Sequence, residues 1–156
     1  MKIISKKIVF IGLIIFLLMQ LYQTARNIGF EQDINANFTE VYNVPKNVEV
    51  VLQTSCYDCH SNNTNYPWYS NIQPVRFFME HHIKEAKENL NFDEWGNYSS
   101  RKQNNKLDRI AKQIQSNEMP LTAYTLIHKK AALSATQKKE VLDWINKIED
   151  SILLHN

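Results

Sequence analysis

The sequence predicts an all-helical domain, and three observations carry that expectation. Only 3 glycines and 4 prolines punctuate 156 residues, so turn signals are few. No stretch sustains the apolar–polar alternation of a half-buried strand. Helix formers fill the second half, where apolar residues recur at three- and four-residue spacing. The length suits one domain, and an aromatic share of 11% argues against disorder. A net charge of +2, with no run of Lys or Arg interleaved with aromatics, sets nucleic-acid binding aside.

The first element is an apolar run, "IVFIGLIIFLLM" at 8–19, preceded by Lys2, Lys6 and Lys7. A positive flank before an apolar stretch is the pattern of an export signal. The run is shorter than the roughly 20 residues of a membrane span, which leaves a cleaved signal peptide as the alternative; no small-residue cleavage site follows in "LYQTARN", so the expectation is an uncleaved signal-anchor over 1–22. It places the chain as a single-pass protein of the cytoplasmic membrane, with its domain on the periplasmic side. Setting those three lysines aside leaves 15 basic against 16 acidic residues, so the remainder has no general attraction for anionic surfaces. Residues 23–44 read as a polar tether and 45–154 as the domain.

Four helices are expected within that domain. In "VPKNVEVVLQTSC" (44–56), Pro45 suits a first turn, and Val48, Val51 and Leu52 share a face. In "PVRFFMEHHIKEAKENL" (74–90), Val75, Phe78 and His82 form a stripe with Met79 and Ile83 beside it. "KLDRIAKQIQ" (106–115) places Leu107, Ile110 and Ile114 together. The last helix begins at Ser134, which makes a capping box with Gln137 and leads into Val141, Leu142, Trp144, Ile145 and Ile148. The stretches 61–73, 91–105 and 116–128 read as irregular.

The first of these helices delivers "CYDCH", which holds the only two cysteines, Cys56 and Cys59, followed at once by His60. Three chemistries compete for it. A dithiol redox couple normally opens a helix after a strand, where the helix terminus lowers the thiol pKa; here the motif follows a helix. A zinc or iron–sulfur site is short of ligands. There are two cysteines rather than four, and the neighbouring His81 and His82 diverge by about 100° on a helix. In C-x-x-C-H, both thiols can form thioethers with the two haem vinyl groups while the histidine ligates the iron. One covalent haem c per chain uses every residue of the motif.

Iron held by His60 takes a sixth ligand for electron transfer or keeps an open face for chemistry. Met79 lies inside a helix and reads as core packing. Met119, in "SNEMPL" with Pro120 behind it, sits in an irregular stretch where a stiff backbone can hold a weak thioether ligand in place. Met119 is the expected sixth ligand, with His81, His82 and His128 as rivals; His155 is set aside at the tail. His128 is also a candidate to bond a haem propionate. Tyr66, Trp68 and Tyr69, close after the motif, are expected to wall the haem edge and exclude water. Trp95, Tyr98 and Tyr124 are candidates for the same role from other loops.

Taken together, "SCYDCHSNNTNYPWYSNIQPV", "EHHIKEAKENLNFDEW" and "EMPLTAYTLIHKKAALSATQ" resemble the family of small exported proteins known as the haem-binding domain, over roughly residues 40–150. The resemblance implies a cytochrome c-like bundle of short helices around one covalent haem. It also implies Cys56 and Cys59 as attachment points, His60 as a ligand and Met119 as its partner. The expected role is single-electron transfer between respiratory or redox membrane proteins met transiently. A haem-based sensor or carrier with a displaceable sixth ligand is the alternative. A peroxidase-type enzyme, with Glu80 or Glu118 as the acid–base group, ranks third.

Overall fold

The computed structural model describes residues 2–29 and 36–154, with the side chains of 2–5 and 152–154 outside that description. His155 falls outside it too. Among the described residues eight α-helices run in order: α1 (Lys2–Met19), α2 (Phe38–Val41), α3 (Lys46–Ser55), α4 (Tyr57–His60), α5 (Val75–Asn89), α6 (Ser100–Gln115), α7 (Thr122–Ile127) and α8 (Ala135–Leu154). Short 3-10 turns occupy 68–71, 92–97 and 129–131. Among the described residues the only strand-like feature is one bridge between Ile28 and Asn63. The all-helical expectation holds.

The core lies between α3, α6, α8 and the 92–97 turn. Val48, Val51 and Leu52 of α3 meet Leu107, Ala111 and Ile114 of α6 and Val141, Trp144 and Ile145 of α8, all buried. These are the stripes that helical spacing predicts. Phe38 of α2 sits at the centre, edge-on to Phe92, Trp95 and Trp144 at ring-centroid distances of 5.1, 4.7 and 5.5 Å. Edge-to-face contact aligns the positive ring edge with a negative face and adds to the large apolar burial.

Two expected irregular stretches are partly helical. α6 starts at Ser100, six residues ahead of the expected Lys106. Its added turns are polar, and Gln103 holds them down by donating to the Trp95 carbonyl at 3.0 Å. α7 is a short helix within 116–128. The stripe of α5 departs further: Ile83 is its only buried residue, while Val75 and Phe78 are exposed and Met79 half-buried. α5 packs on α4 and the 68–71 turn rather than on the core.

The N-terminal helix corrects the expected membrane anchor. Three lysines fall within the first six residues of α1. The apolar part that follows, 8–19, spans about 18 Å at 1.5 Å per residue, against a hydrocarbon core of about 30 Å. Among the described residues, no helix is long and apolar enough to cross a membrane. The structure therefore gives no support to the single-pass arrangement or to the location built on it. The end of α1 instead joins the domain: Gln73 N–H donates to Gln20 Oε1 at 2.9 Å, and the buried Gln73 amide donates to the Tyr22 carbonyl at 2.6 Å.

The capping box forms as expected, with Gln137 N–H on Ser134 Oγ at 3.2 Å and Ser134 N–H on Gln137 Oε1 at 2.9 Å. Replacing Ser134 with Ala removes one of the pair and costs about 1 kcal/mol. Trp95→Ala empties a fully buried site and costs about 3–5 kcal/mol. Urea titration of the two variants checks both the values and their order.

Candidate functional site

The motif is built as a break between two helices. α3 ends at Ser55, and Cys56 leaves the helical region at φ −126°. The chain then closes one tight turn, in which the N–H groups of Cys59 and His60 both donate to the Cys56 carbonyl, at 3.2 and 3.0 Å. Both cysteines are free and half-buried. Burial pushes the Cys56 thiol up to about 12, with Cys59 adding to it. Burial, with the charge of Asp58, pushes Cys59 to about 11. Thiols kept protonated are the reverse of what disulfide exchange requires. Among the described residues no group of three or more His, Cys, Asp or Glu could hold a metal ion, so a zinc site lacks its ligand set.

His60 is held from behind. Its Nδ1 lies 3.1 Å from the Ala86 carbonyl and 3.0 Å from the Leu90 carbonyl, at the end of α5. Carbonyls only accept, so Nδ1 carries the proton and Nε2 keeps its lone pair. Burial lowers the imidazole pKa and favours this neutral form. The carbonyls stand there because α5 stops: Leu90 turns extended, and Asn91 caps the following turn by accepting from Asp93 N–H at 3.1 Å. Lys106, 8% exposed, donates its Nζ to the Asn89 carbonyl. Phe92 stands edge-on to His60 and stacks on Tyr57 at 4.9 Å.

The segment after His60 is fixed by a buried carboxylate. Asp93, 4% exposed, accepts from Asn62 N–H and Asn37 Nδ2, both at 2.7 Å. Asn27 then laces the 22–29 stretch onto the same segment, donating to the Ser61 carbonyl at 2.8 Å and Thr64 Oγ1 at 2.9 Å. These described parts of the expected tether are bonded along the domain.

The predicted wall residues take different positions. Tyr66 accepts from Asn27 N–H at 2.7 Å and donates to Glu80 Oε2 at 2.9 Å, with Arg26 over its ring. Its hydroxyl thus faces the N-terminal stretch and α5. Trp68 is 76% exposed. Trp95 is core, and Tyr98 packs against the core and accepts from Asn91 N–H at 3.1 Å. Tyr69 and Tyr124 converge: the Tyr69 hydroxyl lies 2.5 Å from His128 Nε2, and Tyr124 donates to Asp58 Oδ2 at 2.6 Å.

Met119 is half-buried between α6 and α7. α6 ends where Asn117 takes a left-handed φ of 61°, a conformation asparagine tolerates. The N–H groups of Glu118 and Met119 then fold back onto the Gln113 carbonyl at 3.0 and 3.2 Å. Of the rival ligands, His81 and His82 are exposed on α5, beside Glu85, and His128 is engaged by Tyr69. Glu80 is taken by Tyr66, and Glu118 is exposed and accepts from Gln113 at 2.6 Å.

Sequence reasoning missed Asp58, Asp93 and Lys106, and the two carbonyls behind His60. Asp58 was within reach, as a charged residue inside the motif; main-chain carbonyls leave no mark in a sequence.

A family model described as a haem-binding domain matches residues 14–147. No curated protein and no solved structure matches the chain.

Asp93→Ala leaves two donors unpaired and is expected to destabilise the protein by about 2–4 kcal/mol. Asp93→Asn, which keeps one acceptor oxygen, recovers part of that loss. Denaturant titration of both variants measures the difference; equal losses exclude the acceptor role.

Proposed function

This chain belongs to the haem-binding domain family, and from that premise we propose a monohaem c-type cytochrome that passes single electrons. The observation that carries the reading is the state of His60. Its Nδ1–H is bound to two carbonyls and its Nε2 is free, one residue beyond a pair of unpaired thiols. The donor set fits haem: two sulfurs for two vinyl groups and one neutral imidazole for iron. Each thiol would add its S–H across a vinyl C=C, sulfur to one carbon and hydrogen to the other, which would consume no oxidant.

When bound, haem supplies an iron centre that changes by one electron. The residues around it set the conditions. Main-chain carbonyls on Nδ1–H fix the ring orientation and make Nε2 a stronger donor. Cys56 and Cys59 would tether the group to the same helical turn that carries His60. Met119 would supply a second iron ligand, a weak donor that favours the reduced state. Trp68, Val75, Phe78 and Leu121 present apolar surface suited to a porphyrin face. Tyr66 supports the site through Asn27 and Glu80. The exchange partners are redox proteins in transient contact.

Protein from cells competent in cytochrome c maturation is expected to be coloured and to exceed its polypeptide mass by one haem. Cys56→Ser with Cys59→Ser should leave haem extractable by acidic organic solvent. Met119→Ala should convert a low-spin spectrum to high-spin and open the iron to carbon monoxide; an unchanged spectrum transfers the sixth position to a histidine.

A further inference from the structure

α7 is held to the rest of the protein in an unusual way. None of its residues is buried, and Leu126 and Ile127 are 62% and 64% exposed. Apolar packing therefore does little to fix it. Its attachment is polar. Tyr124 reaches across to Asp58 inside the motif, and its ring stacks on His128 at 4.3 Å and 18°. His128 in turn meets the Tyr69 hydroxyl. Asp58 is itself held in place: its carbonyl accepts from Thr64 Oγ1 at 2.6 Å and its Oδ1 from Asn65 N–H at 3.2 Å. A fixed carboxylate thus receives one phenol from an otherwise loosely attached helix.

Met119 lies directly ahead of that helix, five residues before Tyr124. On its other side the segment is tied to α6 at Gln113, whose carbonyl accepts from the Glu118 and Met119 N–H groups and whose side chain donates to Glu118. The segment carrying Met119 is therefore pinned at α6 and again at Tyr124. The Tyr69–His128 contact holds the far end of α7, so Tyr124–Asp58 is the side-chain pin of α7 nearest to Met119.

We infer that the Tyr124–Asp58 hydrogen bond is a latch holding Met119 toward the haem site, so that Tyr124 is a positioning residue for the sixth position. The inference rests on the reading of Met119 as sixth ligand. With the latch closed, the thioether stays in place and the protein carries electrons. With it open, α7 swings on its downstream attachment at the buried Ala131, and a small neutral ligand such as carbon monoxide gains access.

The test uses the full haem-loaded chain. Tyr124→Phe removes one oxygen and keeps the stacked ring. It should preserve haem content while raising carbon monoxide uptake by the reduced protein at least tenfold. Amide exchange at Thr125 and His128 should rise by a similar factor, a readout independent of the iron. Asp58→Ala should act alike, and the double variant should be no worse than either single. Wild-type uptake and exchange in Tyr124→Phe, or additive single effects, overturn the latch. If Asp58→Ala fails to take up haem, Tyr124→Phe decides alone. A Met119→Ala protein that stays low-spin defeats the ligand reading and the latch with it. Met119→Ala opening the iron while Tyr124→Phe changes nothing defeats the latch only.

Discussion

The imidazole of His60 is oriented by two main-chain carbonyls, and much of the surrounding structure serves to keep those carbonyls in position. The Ala86 carbonyl accepts from His60 in addition to the Leu90 N–H, and the Leu90 carbonyl is turned to His60 where the helix ends, so α5 must stop within reach of the motif. It does so because Leu90 turns extended and Asn91 caps the next turn. Asn91 also donates to Asn62 at 2.8 Å, tying the end of α5 to the segment after His60. Lys106 closes the neighbouring Asn89 carbonyl. Phe92 and Trp95, two and five residues past Leu90, enter the core. The ring that is proposed to grip iron is thus referenced to the buried core.

The domain divides by chemistry. One half is apolar: α2, α3, α6, α8 and the 92–97 turn gather around Phe38. The other half, formed by 22–29, 61–73 and α5, is joined mainly by side-chain amides, hydroxyls and carboxylates. Buried polar groups without partners are costly, and most in this half are paired, with Thr24 Oγ1, Arg76 Nε and Glu80 Oε1 left without partners among the described residues. Asn27, Asn91 and Asp93 each satisfy two or more partners. The motif lies at the seam, with α3 rooted in the apolar half and His60 turned to the polar one.

The apolar half was legible in the sequence and the polar half largely was not. Val48, Val51 and Leu52, or Leu107 and Ile114, announce themselves because burial follows a 3.6-residue period. The capping box at Ser134 is local and therefore readable. α6 was read as starting late because its first turns carry no apolar residue, and their support comes from the Trp95 carbonyl. The stripe on α5 was read as core because its pattern is that of a buried face, yet only Ile83 is covered by protein. The cysteines and His60 were visible as a pattern. Their setting was not, since Ala86 and Leu90 act through backbone atoms and Asp93 through partners 31 and 56 residues away. The apolar run at 8–19 suggested a span, and counting helical rise shows it to be too short.

Gln73 sits 2% exposed at the foot of α5; its main chain pairs with the Gln20 side chain, and its side-chain amide donates to the Tyr22 carbonyl. The leading stretch is therefore stitched into the folding unit. A protease cut or genetic trim just before residue 24 removes both partners at once and opens Gln73 to water. Whatever removes the front of this polypeptide also loosens the footing of the helix that steadies His60.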